Sequence, residues 1–259
     1  MAYQVLAGLY DGLMEDIDYK RWADYLAQLL EYYHCPGQML VDLGCGTGSI
    51  SIPLAQKGYQ VIGLDLSEEM LAQAAAKTRG QDLAVSWQQQ DITELELAEE
   101  VDAMVATFDV FNHLLEPEDL QQTFLQISQY LRDDGLLIFD VQTPWKLREY
   151  LGNNSYSWHN EHLAYIWDND FDEESQICTM HLTYFLQQDN GLYQRIEEEQ
   201  YERVYDLDLL QLWLDFAGFD VLGVYRQLTM EELGEQEERA VFVARKRKWD
   251  EDFDEDCNF

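Results

Sequence analysis

The feature that most constrains the fold is a glycine-rich segment that directly follows a short apolar run. Residues 39–43 read Met-Leu-Val-Asp-Leu, which is typical of a buried parallel strand interrupted by one acid. Gly44, Gly46 and Gly48 follow at alternate positions, and an apolar pattern typical of a helix begins at Ile50. Glycines let a ligand approach the backbone and allow positive φ in a tight turn. A strand, a glycine turn and a helix in this order predict a cradle for a nucleotide-type cofactor.

The spacing of the glycines distinguishes two classes of cofactor site. The dinucleotide fingerprint GxGxxG/A requires glycine or alanine where this chain has Ser49. The segment 41–48, Val-Asp-Leu-Gly-Cys-Gly-Thr-Gly, has the form GxGxG instead. It resembles motif I of the class I S-adenosylmethionine (SAM) dependent methyltransferases, and an ordinary glycine-rich loop is the alternative. The resemblance implies that these turn residues contact SAM: Gly44, Cys45, Gly46 and Gly48.

Acids follow the next two predicted strands. Residues 59–65 form a second strand that ends in Asp65, about 20 residues beyond the glycine turn, where a carboxylate can accept hydrogen bonds from both ribose hydroxyls. Residues 85–93 predict a third strand and turn, and Asp91 there resembles the family's acidic position facing the adenine amino group. The resemblance implies a set of residues around the adenosine of SAM: Asp65, Leu66, Met70, Asp91 and Ile92.

The loop after the fourth predicted strand, within residues 101–114, carries the candidates for chemistry. In the family that the chain resembles, this loop faces the sulfonium and the incoming nucleophile. Thr107 and Phe108 are therefore expected to offer backbone groups to the methionine end of SAM, and Asp109 is a catalytic candidate. His113 can act as a general base, since the ordinary pKa of histidine is about 6.5. A histidine at a helix start that bonds only the backbone is the alternative.

The first 35 residues predict helices with an apolar stripe, and the helix ends at Pro36. The resemblance implies that this segment folds over SAM as a lid. Tyr3 and Trp22 are then expected to contact the cofactor, and Tyr10 is expected to reach the reacting groups. Aromatic residues that only pack a helix against the sheet are the alternative.

The whole pattern indicates the α/β class, with a doubly wound, seven-stranded, mostly parallel, Rossmann-like sheet whose last strand is antiparallel. Residues 1–145 and 206–248 are predicted to form the SAM-binding core with its N-terminal helical lid. Residues 146–205 are predicted to form a small antiparallel β insert of three strands over the active site, and 249–259 an acidic tail. Five insert residues are candidates for facing the substrate: Trp158, His159, Trp167, His181 and Arg195.

The net charge and the cysteine content limit the kinds of partner, metal site and cellular compartment that are expected. The net charge of −35 repels phosphate backbones, so direct binding of nucleic acid is not expected, although solubility alone also accounts for the acidity. The four cysteines show no C-x-x-C spacing and no cluster with histidine, which predicts a reduced cytoplasmic protein without a metal. No apolar run is long enough to span a bilayer. The sequence does not distinguish a monomer from a dimer.

The predicted reaction is an in-line displacement at the methyl carbon of SAM, with S-adenosylhomocysteine as product and a small-molecule acceptor. Because the sulfonium is already an activated leaving group, alignment and desolvation are the main requirements. Ser49 disfavours an NAD-dependent oxidoreductase. Two other functions stay open. One is a non-catalytic SAM-binding scaffold that docks on a basic partner, and the other is an RNA- or ribosome-associated methyltransferase.

Overall fold

The computed structural model describes residues 17–188 and 190–248. The strands are β1 (Met39–Leu43), β2 (Gln60–Asp65), β3 (Val85–Gln89), β4 (Val101–Ala106), β5 (Leu131–Gln142), β6 (Ser155–His159), β7 (Leu163–Asp172), β8 (Ile177–Gln187), β9 (Tyr193–Arg203), β10 (Phe219–Arg226) and β11 (Arg239–Lys246). The α-helices are α1 (Tyr19–Tyr32), α2 (Ser51–Gln56), α3 (Glu68–Thr78), α4 (Pro117–Tyr130) and α5 (Leu207–Phe216). Short 3₁₀ turns cover Ile92–Glu94 and Val110–His113, and a π-helical turn covers Lys146–Leu151.

The larger sheet has seven strands in the order β10-β11-β5-β4-β1-β2-β3. Strands β1 to β5 pair in parallel, whereas β11 lies antiparallel between β5 and β10. This confirms the predicted seven-stranded, mostly parallel sheet with an antiparallel last strand. The strand order reverses between β1 and β4, and such a switch point leaves a crevice at the carboxyl ends of the strands.

Apolar clusters cover both faces of this sheet. On one face, the ring of Phe139 in β5 stacks on that of Phe242 in β11, with 4.8 Å between the ring centroids. On the other face, α1 buries its predicted stripe, including Trp22 and Leu26. Asp18 caps this helix by accepting a hydrogen bond from the backbone N–H of Arg21 at 2.9 Å. Among the described residues, no helix combines the length and apolar character needed to cross a membrane.

The smaller sheet is antiparallel in the order β6-β7-β8-β9, so the insert has four strands, one more than predicted. The additional strand β6 is short and mostly exposed, and its sequence, Ser-Tyr-Ser-Trp-His, alternates polar and aromatic residues, a signal that the three-strand prediction did not use. Along β8, alternate side chains are buried, including Met180, Leu182 and Tyr184. The side chain of Asn112 connects the insert to the larger sheet, because it donates to the carbonyl of Arg203 and accepts from the N–H of Gln142, each at 2.9 Å.

Candidate active site

The glycine turn between β1 and α2 is packed closely against Val110 at Gly44 and is open at Gly46. Gly44 has φ of 68°, and a β-carbon there would lie 2.6 Å from a methyl group of Val110. Gly46 also has positive φ, 55°, but a β-carbon there would meet nothing within 4 Å. The space beside Gly46 is therefore available to a ligand that contacts the backbone, as the predicted cofactor requires.

Asp65, at the carboxyl end of β2, fixes the shape of this turn. Its Oδ2 accepts a hydrogen bond from the N–H of Gly46 at 2.7 Å, and its Oδ1 accepts one from the N–H of Ser67 at 2.8 Å. Burial raises the pKa of the Asp65 carboxyl, while these backbone donors act in the opposite direction. Asp65 thus joins the glycine turn to the start of α3.

The other residues predicted around the adenosine lie at the same edge of the sheet. Leu66 is 66% exposed directly beside Asp65, whereas Met70 is buried in α3. Asp91 is exposed and accepts a hydrogen bond from the N–H of Thr93, and Ile92 is buried. Cys45 is buried in the turn, and Gly48 lies against the ring of Trp87. An exposed apolar side chain, a carboxylate and an open glycine fit an adenosine-bearing cofactor.

The loop after β4 adopts a strained backbone. Phe108 and Asp109 both have positive φ, 64° and 58°, although neither is glycine, and Thr107 before them is buried. Such a conformation costs about 1–2 kcal/mol per residue. Asp140 in β5 stabilises it, because its carboxylate accepts hydrogen bonds from the N–H groups of Phe108 at 2.9 Å and Asp109 at 2.8 Å.

Arg239, the first residue of β11, bridges the two acids of this loop region. Its Nη2 lies 2.5 Å from Oδ1 of Asp109, and its Nη1 donates to Asp140. Burial is the largest influence and acts to raise the pKa of Asp109, but the charge of Arg239, the nearby His113 and hydrogen bonds from Arg239 and Glu202 together hold this pKa below its usual value. Asp109 is consequently an ionised group.

Glu202, near the end of β9, is only 3% exposed and lies beside Asp109. Burial, and next the negative charge of Asp109, raise the pKa of Glu202 well above its usual value. The raised pKa favours the protonated carboxyl, and a hydrogen bond shared with Asp109 acts in the same direction. Within the described residues, its Oε2 is buried and has no hydrogen-bond partner.

His113 lies behind Asp109. Its Nδ1 lies 3.1 Å from the carbonyl oxygen of Tyr201, which can only accept, so the proton of the neutral ring is on Nδ1. Its Nε2 lies 3.9 Å from Oδ2 of Asp109. One atom from each of Asp109, His113 and Glu202 falls within 4.8 Å of the others, a set that could hold a cation. Arg239 already neutralises one oxygen of Asp109.

A cavity of about 550 Å³ opens beside this cluster. One wall is formed by Phe108 and Asp109 together with Trp22 of α1, whose ring centroid lies 5.1 Å from that of Phe108. The opposite wall is the buried face of the smaller sheet. Its main contributors, with residues from neighbouring segments, are Tyr165, Trp167, Met180, Leu182, Tyr184, Glu202, Gln142 and Lys146.

Only some of the residues that were predicted to contact cofactor or substrate line this cavity. Trp167 lines the cavity, and Trp22 and Asp109 do so as well. Trp158, His159, His181 and Arg195 are exposed, and the last two pair with glutamates on the outer face of β9. His113 does not belong to the cavity lining, and Tyr3 and Tyr10 lie outside the described residues.

Three residues of the cluster were not identified from the sequence. Asp140 is an acid within the buried apolar run 136–141 of β5, and that alone could have indicated a role. Glu202 has no distinctive local signal, because it is one of several glutamates in β9. Arg239 follows a glutamate-rich segment, so nothing local distinguishes it from a solvated charge, yet the pairing of β11 with β5 places it beside Asp140.

Comparison with known proteins agrees with this geometry. Residues 40–135 match the family model of a methyltransferase domain. Over 95% of its length, the chain is 36% identical to a protein of Geobacillus sp. (strain WCH70) that is named as a methyltransferase, all of which is covered. It also superimposes with a TM-score of 0.86 on a crystal structure of a SAM-dependent methyltransferase from Clostridium acetobutylicum, at 28% identity over 95% of this chain and 99% of that one. The chain belongs to the class I SAM-dependent methyltransferases.

This methyltransferase also has a relative in Bacillus subtilis (strain 168), named as the methyltransferase YqeM, with 33% identity over 96% of this chain and 98% of that protein. A SAM-bound amino pentose methyltransferase from Micromonospora echinaspora shares the fold, with a TM-score of 0.76 at 19% identity over 95% and 98% of the two chains. SAM is therefore the methyl donor of this enzyme.

Proposed function

We propose that this SAM-dependent methyltransferase acts on a small molecule that binds between the loop after β4 and the smaller sheet. The cavity there is the observation that carries the proposal. Its volume of about 550 Å³ falls in the range typical of small-molecule sites, and its lining combines apolar and aromatic side chains with polar ones. The net charge of −35 disfavours a nucleic-acid substrate.

SAM supplies an activated methyl group, so the protein mainly has to align donor and acceptor and exclude water. We propose that the glycine turn and Asp65 hold the adenosine, with Leu66, Met70, Asp91 and Ile92 around the adenine. Thr107 and Phe108 would face the methionine end. Trp22 would close over it, with Tyr3 and Tyr10 completing the lid.

Asp109 and His113 are the proposed catalytic residues. Asp109 lines the cavity and lies 3.9 Å from Nε2 of His113, whose ring is partly exposed. A proton released from the acceptor could pass along this pair to solvent.

We also propose residues 146–205 as the substrate-covering insert. A cytoplasmic location is supported by the free thiols of Cys35, Cys45 and Cys178.

A cavity-filling variant tests the proposal. Leu182→Trp should abolish methyl transfer to small molecules while leaving SAM affinity within about twofold, because Leu182 lines the cavity and lies away from the glycine turn. His181→Trp, on the exposed face of the same strand, is the matched control and should retain turnover. The assay follows labelled methyl groups into the small-molecule, protein and RNA fractions of a cell extract. Label in RNA or protein, or full turnover by Leu182→Trp, would refute a small-molecule acceptor.

A further inference from the structure

The cavity contains polar atoms that no protein group satisfies. Within the described residues, Oε1 of Gln142, Oε2 of Glu202 and Nε1 of Trp167 are buried without a hydrogen-bond partner, and all three residues line this one cavity. Gln142 is 8% exposed and Glu202 is 3% exposed. Leaving such groups unsatisfied costs about 1–3 kcal/mol each. Three of them around one cavity indicate a site built to bond a polar ligand.

The two oxygens in this set specify what the ligand must offer. Oε2 of Glu202 is a carboxyl oxygen and Oε1 of Gln142 is an amide oxygen, and no described residue donates a hydrogen bond to either. Both oxygens are of the kind that accepts hydrogen bonds. Both require a donor from the ligand, so the bound group must present two hydrogens.

The aromatic rings and the cations that line the cavity favour a nitrogen-bearing ligand over an anion. Aromatic rings of Tyr165, Trp167 and Tyr184 line the cavity, and ring faces attract positive charge. Two mostly buried cations of the wall, Arg239 and Lys146, are already paired with acids. An anionic ligand would compete with these acids for Arg239 and Lys146, and the other cation of the lining, Arg21, is exposed.

We propose that the methyl acceptor is an amine, whose N–H groups bond Oε2 of Glu202 and Oε1 of Gln142. This inference rests on the proposed function and names its substrate class. An amine can donate two hydrogens and keep its lone pair for the methyl group, whereas a hydroxyl donates only one. A hydroxyl must also lose its proton to a base as it attacks, whereas a free amine forms the new bond with its lone pair and keeps both hydrogens during methyl transfer.

The reaction balances with the free amine as nucleophile. The nitrogen lone pair forms the new C–N bond while the methyl C–S bond breaks, and the electron pair of that bond goes to sulfur. The product leaves as an ammonium ion that retains the original N–H hydrogens. The developing positive charge on nitrogen lies against the aromatic rings and the acceptor oxygens of the cavity, which stabilise it.

Transfer from ¹³C-methyl SAM into the small-molecule fraction of a ¹⁵N-labelled cell extract tests the proposal directly. The full-length enzyme should produce a methyl carbon signal that is split by coupling to ¹⁵N. An unsplit signal in a small molecule would overturn the amine while leaving the proposed function intact. Label confined to macromolecules would refute the proposed function itself.

Variants of Glu202 test how the amine is recognised. Glu202→Gln keeps a carbonyl oxygen and a donor toward Asp109, so KM for the ¹⁵N-coupled acceptor should stay within about threefold. Glu202→Leu and Gln142→Met each remove an acceptor and should raise KM about tenfold. Glu199→Leu, exposed on the opposite face of β9, is the control for an unchanged KM. S-adenosylhomocysteine binding reports whether each variant is folded. Equal KM values for the leucine and glutamine variants, or turnover that is lost on chelating divalent cations, would overturn the assignment.

Discussion

Asp140→Asn should destabilise the enzyme more than its conservative chemistry suggests. The side chain is completely buried, and its two oxygens accept the N–H groups of Phe108 and Asp109 and also bind Arg239. The variant amide keeps one oxygen, so one N–H group faces another donor and Arg239 loses one of its two acids. A lost hydrogen bond to a charged group costs about 1.5–3 kcal/mol, and breaking a buried ion pair costs about 3–5 kcal/mol.

Because Arg239 keeps Asp109 as a partner, the two losses are not fully additive, and we expect the free energy of unfolding to fall by about 3–5 kcal/mol. Urea denaturation followed by circular dichroism measures this change. Asp220→Asn is the matched control, since Asp220 is 60% exposed and lies 3.8 Å from Arg247, and it should change stability by less than about 1 kcal/mol. A loss below about 1 kcal/mol for Asp140→Asn would refute the view that Asp140 holds the strained loop.

Three further changes test the cofactor turn. Gly46→Ala should abolish measurable SAM binding by calorimetry, whereas Gly58→Ala, at equally open positive φ but away from the turn, should cost about 1 kcal/mol of stability and leave affinity unchanged. Asp65→Ala should weaken SAM binding at least tenfold in the same assay, since it removes a charged acceptor and the support of Gly46; equal affinity would exclude Asp65 from the site. Burial raises the pKa of Asp42 from 3.8 to about 7, so the folded state holds a proton that the unfolded chain releases, and stability is lost as pH rises through 7. Asp42→Asn should remove this loss, so its unfolding free energy relative to the wild type should rise between pH 5.5 and 8.5, and a constant difference would contradict the buried-acid argument.

The parts of the molecule that could be predicted are those with local physical signals. The strand that ends at Leu43, the glycines after it and the acid at Asp65 are read from consecutive residues, because the turn needs small residues and the strand needs burial on both faces. The same holds for α1, whose apolar stripe is buried as its period indicates. The seven-stranded sheet followed from the order of such segments.

The substrate side of the site depends on contacts between distant segments, which a local pattern does not contain. Arg239 and Asp140 are 99 residues apart, and only the register of β11 against β5 brings them together. Glu199 and Glu202 cannot be told apart by residue type or by their neighbours in the sequence. Glu202 is buried and Glu199 is exposed because they lie on opposite faces of β9. The strand β6 was missed although Tyr156 and Trp158 alternate with polar residues, because an alternation over only five mostly exposed residues is a weak local signal.

The bridge from Arg239 to Asp109 and Asp140 also sets an order of assembly during synthesis. A growing polypeptide exposes its glycine turn and Asp65 long before the ribosome reaches residue 239. Until β11 inserts between β5 and β10, the strained pair Phe108–Asp109 lacks the guanidinium that neutralises its acids. A nascent chain therefore holds its glycine turn and Asp65 before the guanidinium of Arg239 is available to pair with the acids beside the loop after β4.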